Sequence, residues 1–344
     1  GRYTEQALRK PEKLLRKDSN FFSVFVKKPM LEECYKSFVG IDEATEEYVK
    51  YLTMIGRFWS QNKEFEVNLE DKRLEDIVNS DEACIFIINH DHQAQDPVLL
   101  GCITNLLYTK YLEAGKGESC PRPNIIMNED IIDSQPEKLK AVFEKFGAIG
   151  VDASLIKNPD GGKRNLKKLL PMIDGFVKDS RHVFIFPEGK MTGIKGYDLK
   201  QKFQSGIGEI IKFSTSGKDR VKVVPLGFDY KSKKRKFLGS IYVGEPVYIK
   251  QVDKKILVST ANVTRKDASP NYSSFFLDNN ESNPLQSIDG VEYKVLTVDN
   301  EPVKGKETKR YISGVLAENL RICKNRAHEQ ITKELDPDSE IAWV

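Results

Sequence analysis

The sequence predicts an α/β protein: a largely parallel mixed sheet flanked by helices, with a small helical domain at its N-terminus. Three observations lead there. From about residue 82, short apolar runs alternate with helix patterns, the order expected of strand–helix–strand units. Residues 1–80, by contrast, are charged and helix-patterned throughout. No apolar run approaches the ~18–20 residues of a membrane helix, because the longest stretches, such as Ala83–Ile88, are strand-length.

The elements follow in order. The best N-terminal helix runs from about Glu43 to Gln61, where Tyr48, Tyr51, Leu52, Ile55, Phe58 and Trp59 recur at three- and four-residue steps. A stripe of that kind marks a core face. Domain organisation is therefore expected as residues 1–80, helical, and 81–344, α/β. In the second domain Cys84–Ile88, Asn124–Met127, Ala148–Val151, Val183–Phe186, Val221–Leu226 and Ser240–Ile249 read as strands. Pro97–Leu107, Pro136–Phe146, Asn165–Val177 and Ser205–Thr215 read as the helices between them. Pro97 and Pro136 suit first helical positions, Gly147 suits a helix stop, and Pro171 is expected to break 165–177 in two. Residues 256–307, rich in Ser, Asn, Asp and Thr, read as a polar surface insertion, a lid or a mobile loop, with one hairpin-like run at Val291–Val298. An amphipathic helix over about Lys309–Leu335 closes the chain.

Composition narrows the function classes. With 344 residues the chain is long enough for one large domain or two modest ones and can bury a sizeable core without staples. Its 39% hydrophobic and 31% charged residues exclude a fibrous or wholly disordered chain. The 54 basic against 51 acidic residues leave a net charge of only +3, so nucleic acid is not an expected partner. The five cysteines (Cys34, Cys84, Cys102, Cys120, Cys323) form no CxxC pair, which reads as a reducing compartment. The chain begins with Gly, and a processed or cut end is expected there.

Two segments carry candidate chemistry. In Ile87-Ile88-Asn89-His90-Asp91-His92-Gln93-Ala94-Gln95-Asp96-Pro97 a strand ends, two of the four histidines follow, and Asp96-Pro97 opens a helix. Ligands of open α/β sheets collect at strand carboxyl ends, and a histidine oriented there by a carboxylate makes a general base for a hydroxyl. Asp before Pro at a helix start is also a common N-cap. In Val183-Phe184-Ile185-Phe186-Pro187-Glu188-Gly189-Lys190 a buried strand runs into an acid, a flexible backbone and a cation. Glu188 can accept from substrate hydroxyls, Gly189 admits a ligand to the main chain, and Lys190 can neutralise a phosphate. Read alone, that segment is a strand followed by a turn.

Together, Asn89-His90 with Asp96-Pro97 and, about a hundred residues on, Phe186-Pro187-Glu188-Gly189 resemble the glycerolipid acyltransferases, the glycerol-3-phosphate and lysophosphatidate acyltransferases. Further pieces fall in the family's order. Phe146-Gly147-Ala148-Ile149-Gly150-Val151-Asp152 is similar to its second motif, and Phe203-Gln204-Ser205-Gly206 to the opening of the helix after Pro-Glu-Gly. Val223-Val224-Pro225-Leu226-Gly227 is similar to its fourth motif, and Tyr242-Val243-Gly244-Glu245-Pro246-Val247 to its Gly-x-Pro strand. The resemblance covers roughly residues 82–250. Two positions depart from it. The family places four residues between His and Asp; here five separate His90 from Asp96 and three separate His92 from Asp96. That leaves His90 as base with the extra residue absorbed in the turn, His92 as base, or a broken dyad. Asp152 stands where the second motif has a phosphate-binding arginine, whose place Lys157, Lys163 or Arg164 could take.

The resemblance implies a soluble-type glycerol-3-phosphate acyltransferase, most like the plant-plastid and chlamydial type. His90, oriented by Asp96, would deprotonate an acceptor hydroxyl that attacks the thioester of acyl-coenzyme A or acyl carrier protein. Glu188, Gly189 and Lys190 would hold the acceptor, with Lys163 and Arg164 on its phosphate. No cofactor or metal is implied; the acyl carrier is a co-substrate. The implied location is the cytoplasm, a membrane surface or an organelle stroma, and the basic run Lys231–Lys236 could dock an acidic carrier or an anionic bilayer. The alternatives are a lysophosphatidate acceptor, a fold that binds acyl ligands without turnover, and a metal-dependent hydrolase built on His90-x-His92 with Asp96.

Overall fold

The structure is a computed structural model, and it describes residues 64–69, 71–90, 95–116, 124–133, 147–151, 159–187, 206–216, 220–233, 236–259, 283–298, 301–305 and 307–335. The Glu43–Gln61 helix, the Pro136–Phe146 helix and most of the expected N-terminal domain lie outside them.

The α/β expectation holds. Five parallel strands form the centre: β2 (Cys84–Ile88), β3 (Asn124–Asn128), β4 (Ala148–Val151), β5 (Val183–Ile185) and β6 (Val221–Lys233), side by side in the order β6-β2-β5-β3-β4. Strands buried on both faces must be apolar at every position, and β2, with all five residues of Cys-Ile-Phe-Ile-Ile buried, is the plainest case. Helices supply the cover. On one face Cys84, Phe86 and Ile88 meet α1 (Asp71–Asn79) through Leu74 and Ile77, and α2 (Gln95–Glu113) through Leu99, Ile103 and Leu107. On the other, Ile85 and Ile87 share a core with Leu169 and Ile173 of α4 (Pro159–Lys178) and with Ile207 and Ile211 of α5 (Gly206–Thr215). Ile312, Val315, Leu316 and Leu320 of the long closing helix α6 (Glu307–Leu335) complete that layer. A short helix, α3 (Glu129–Asp133), follows β3. No helix among the described residues is long and apolar enough to cross a membrane.

Beyond β6 the sheet forks. Val221–Val223 pair with β8 (Val247–Val252), whereas Leu226–Lys233 pair with β7 (Lys236–Val243), both antiparallel. Pro225 sits in the fork. A strand residue points its N and O to the same side, and the Pro225 carbonyl accepts from Gly244 N at 2.8 Å, so the missing N–H faces the break between β7 and β8 rather than β2. That is how a proline is tolerated in a central strand. Two residues on, a Cβ at Gly227 would stand 2.1 Å from the Cys323 carbonyl carbon, so only glycine lets α6 lie flat across β6. Gly227→Ala is expected to lower stability by at least ~1–3 kcal/mol, read as a fall in the urea midpoint.

Several expectations are corrected. Residues 64–69 form a strand, β1 (Glu64–Leu69), parallel to β7, so residues 64–80 belong to the α/β layers rather than to a separate helical unit. The alternation Glu-Phe-Glu-Val-Asn-Leu is strand-periodic, and its charges mask that. Ser240–Ile249 is two strands, because Gly244-Glu245-Pro246 interrupts the pairing: β7 and β8 run the same way along β6, with one residue more between Val243 and Val247 than between their partners Leu226 and Val223. Pro171 does not divide α4: it is exposed, so the carbonyl that loses its partner faces water. The polar insertion is, at both ends, sheet and core. β9 (Lys255–Ser259), β10 (Gln286–Ile288) and β11 (Val291–Val295) extend β8 outward in the order β8-β9-β11-β10, with Ile256, Leu257, Tyr293 and Leu296 buried. Asp289-Gly290, at φ 51° and 75°, makes the two-residue turn between β10 and β11. A two-stranded ribbon, β12 (Thr297–Val298) with β13 (Glu301–Pro302), leads into α6. Residues 260–282 of that insertion lie outside the described residues.

Candidate active site

The topology creates one place where a ligand would collect. β2 and β5 are neighbours, yet the helices that follow them, α2 and α5, lie on opposite faces of the sheet. The chain therefore parts at the carboxyl ends of these two strands and leaves a crevice, the switch point at which open α/β sheets bind ligands. Asn89 and His90 stand at the end of β2; Phe186 and Pro187 stand at the end of β5.

His90 and Asp96 meet there. His90 Nδ1 lies 2.7 Å from Asp96 Oδ2, with the histidine about a quarter exposed and the carboxylate fully buried. The extra residue between them therefore does not separate the pair. Helix α2 begins at Gln95, so Asp96 lies inside its first turn rather than before it, and its carboxylate turns to the histidine. Pro97 sits in the same turn, where a backbone N–H has no helical partner to lose. A carboxylate accepting from Nδ1–H leaves the lone pair of the neutral ring on Nε2, the nitrogen turned away from Asp96. Phe186 fixes the ring from the β5 side, its centroid 4.8 Å from that of His90.

Asn89 holds this arrangement in place. Its fully buried side chain donates to Phe228 O at 2.9 Å and accepts from Phe228 N at 2.7 Å. The last β2 residue in register with β6 is Ile88, opposite Leu226. One step later the Asn89 amide supplies the N–H and C=O that a continuing strand would have offered, so the main chain can leave the sheet at His90. Asn89→Ala is expected to cost ~2–4 kcal/mol, because it strands a buried N–H and a buried C=O of Phe228; chemical denaturation measures it. The residue was legible only as part of a motif. A lone Asn directly after an all-apolar strand is the signal that its amide replaces strand pairing.

The other predicted residues are placed unevenly. Lys163 and Arg164 lie near the start of α4, which leaves β4 at the same carboxyl edge as the crevice. Glu188, Gly189 and Lys190 follow Pro187 directly in sequence and lie outside the described residues, as does His92. Among the described residues no group of three or more His, Cys, Asp or Glu side chains is placed to hold a metal ion.

The two remaining histidines stand elsewhere. His182 is fully buried at the amino end of β5, accepting from Cys84 N at 3.1 Å and bonded through Nε2 to the Tyr111 hydroxyl at 3.0 Å. Burial, with some help from Lys222, lowers its pKa to about 3. His328 on α6 pairs with Asp229 of β6 at 2.8 Å, which raises its pKa. That second His–Asp pair lies on the flank of β6 beside α6, not in the crevice. Cys84 and Cys323 are buried free thiols that burial pushes up to about 12, so they stay protonated and unreactive.

The chain matches no family model, and no curated protein matches it.

Proposed function

We propose that the protein is an acyltransferase that moves a fatty acyl group from a thioester carrier to a hydroxyl of glycerol 3-phosphate. The observation that carries this reading is the His90–Asp96 pair at the mouth of the β2/β5 crevice. A histidine whose Nδ1 is held by a buried carboxylate at a strand's carboxyl end is suited to take a proton at Nε2 and return it. The acceptor hydroxyl loses its proton to Nε2 as its oxygen attacks the thioester carbonyl. The tetrahedral intermediate collapses by breaking the carbon–sulfur bond, and the proton on Nε2 passes to the departing thiolate. Ester and free thiol result, and the histidine ends as it began. Asp96 stabilises the imidazolium while the proton is held.

The remaining residues supply position. Glu188, Gly189 and Lys190, next along the chain from Pro187, would receive the glycerol backbone and its phosphate, with Lys163 and Arg164 as further cations. Fixing the phosphate converts binding energy into orientation of the reacting hydroxyl. The acyl donor, coenzyme A or acyl carrier protein, enters as co-substrate.

The test is to supply palmitoyl-coenzyme A and palmitoyl-acyl carrier protein with glycerol 3-phosphate or lysophosphatidate, and to identify products by mass. Lysophosphatidate as product from glycerol 3-phosphate supports the reading. Phosphatidate formed only from lysophosphatidate moves the protein to the other branch, and no ester with either acceptor overturns it.

A further inference from the structure

The amino edge of the sheet, opposite the crevice, carries charge that its described side chains do not balance. β2 and β6 are parallel, so Glu82 before β2 and Arg220 before β6 meet at this edge. Arg220 donates through Nε and Nη2 to Glu82 Oε1 at 2.8 and 2.7 Å. The same carboxylate stands 3.9 Å from the ammonium of Lys222, which is buried and donates to Ser80 Oγ at 2.8 Å. One acid therefore answers two cations. The neighbouring acids are taken: Asp81 holds Lys116 at 2.7 Å, and Asp289 holds Lys250 at 3.2 Å. Tyr248, opposite Lys222 in register, lays its ring against both cations, 4.6 Å from the guanidinium carbon and 5.9 Å from the ammonium.

Two donors in this cluster have nothing to donate to. Tyr293 of β11 is fully buried and its hydroxyl has no hydrogen-bond partner; neither has Arg220 Nη1, which is closed to solvent. The two stand near enough to act on each other electrostatically, yet no hydrogen bond of ordinary length and angle joins them. A guanidinium nitrogen can only donate. Native interiors pair such groups, and a buried donor left unpaired costs the whole of its lost hydration, so the missing partner is an acceptor. The surplus cation gives that acceptor its sign.

We infer that Arg220 Nη1 and the Tyr293 hydroxyl bind one oxygen of a small oxyanion, the shared chemistry of inorganic phosphate and a carboxylate. Its charge completes a cluster in which Glu82 alone serves two cations. Both donors are closed to solvent, so entry moves a neighbouring side chain, and the half-buried Tyr248, whose ring lies on the guanidinium, is the one placed to swing. The bound anion ties the start of β6 to β11, and it stabilises the fold by mass action. None of this draws on the proposed acyl transfer.

The experiment is equilibrium dialysis of the full chain against radiolabelled inorganic phosphate and, separately, radiolabelled acetate, at an ionic strength fixed with chloride. Tyr293→Phe removes one hydroxyl and keeps the shape, whereas Arg220→Lys keeps the charge and removes Nη1. Lys163→Gln/Arg164→Gln reports any anion held at the crevice instead. Melting curves check that each variant is folded. The expected result is saturable binding of at least one probe, weakened about tenfold in Tyr293→Phe, more in Arg220→Lys, and kept in the crevice variant. No saturable binding of either probe overturns the inference, and so does binding that both edge variants leave unchanged. Loss confined to the crevice variant overturns it as well, because the anion then sits at the other edge of the sheet. The readout uses no turnover, so an inactive protein that still binds the anion would refute the proposed activity and leave this site standing.

Discussion

Asp96→Asn is expected to lower kcat for acyl transfer by about 10²- to 10⁴-fold, the range general acid–base catalysis contributes, while KM for the acceptor stays within a few-fold of the parent value. The substitution keeps the shape of a side chain that is fully buried against His90 Nδ1. It removes the negative charge that stabilises the imidazolium. An amide that presents its NH₂ group to Nδ1 also moves the ring proton to Nε2, where no base is then available. The pattern separates catalysis from folding: kcat falls, the circular-dichroism spectrum holds, and acceptor binding persists. An equal rise in KM with kcat unchanged would place Asp96 in acceptor binding instead.

Acid is expected to weaken the fold through His182, far from the crevice. The native ring is neutral and accepts from Cys84 N at Nδ1; a proton on Nδ1 would set two donors face to face inside a dry core. With the native pKa at about 3 against about 6.5 unfolded, the unfolded chain binds a proton that the native state refuses. Stability from this residue is complete above about pH 6.5 and is lost progressively as pH falls toward 3, by about 1.4 kcal/mol per pH unit across that window. Moving from pH 7.5 to 5 therefore costs about 2 kcal/mol from His182 alone. His328 acts in the opposite direction, because its hydrogen bond to Asp229 raises its pKa, and its contribution is present at low pH and lost as pH rises. Half exposed, it offsets little. Urea midpoints at the two pH values, for the parent and for His182→Gln, isolate the effect: the slope with pH should shrink in the variant. His182 ring resonances that titrate near 6.5 in the native protein would contradict the account.

The central sheet was legible because burial on both faces leaves an unbroken apolar run, as in Cys84–Ile88 and Val183–Ile185. What escaped has physical causes of a different kind. β1 alternates charge with apolar residues and borrows the look of a helix surface. β7 and β8 merge in sequence because they run the same way along β6 and the three-residue break between them carries little pattern of its own. The outer strands of 256–307 hide in a polar composition, because what they add to the core comes in short runs such as Ile256–Val258 and Tyr293–Leu296. At the site, the sequence brings His90 and Asp96 to one strand end and one helix start. Whether five intervening residues let them touch depends on the angle at which α2 leaves the sheet, which no spacing encodes. The Asn89 clamp on Phe228 joins residues 139 positions apart and is visible only once β2 and β6 are paired.

The central claim is that His90 is the base of an acyl transfer, and one measurement addresses it most directly. Free thiol released from palmitoyl-coenzyme A is followed with and without glycerol 3-phosphate, for the parent and for His90→Ala, both checked for folding by their melting curves. The account predicts acceptor-dependent release by the parent and a loss of about 10³-fold or more in the variant at an unchanged melting temperature. Acceptor-dependent release that survives in His90→Ala would contradict it.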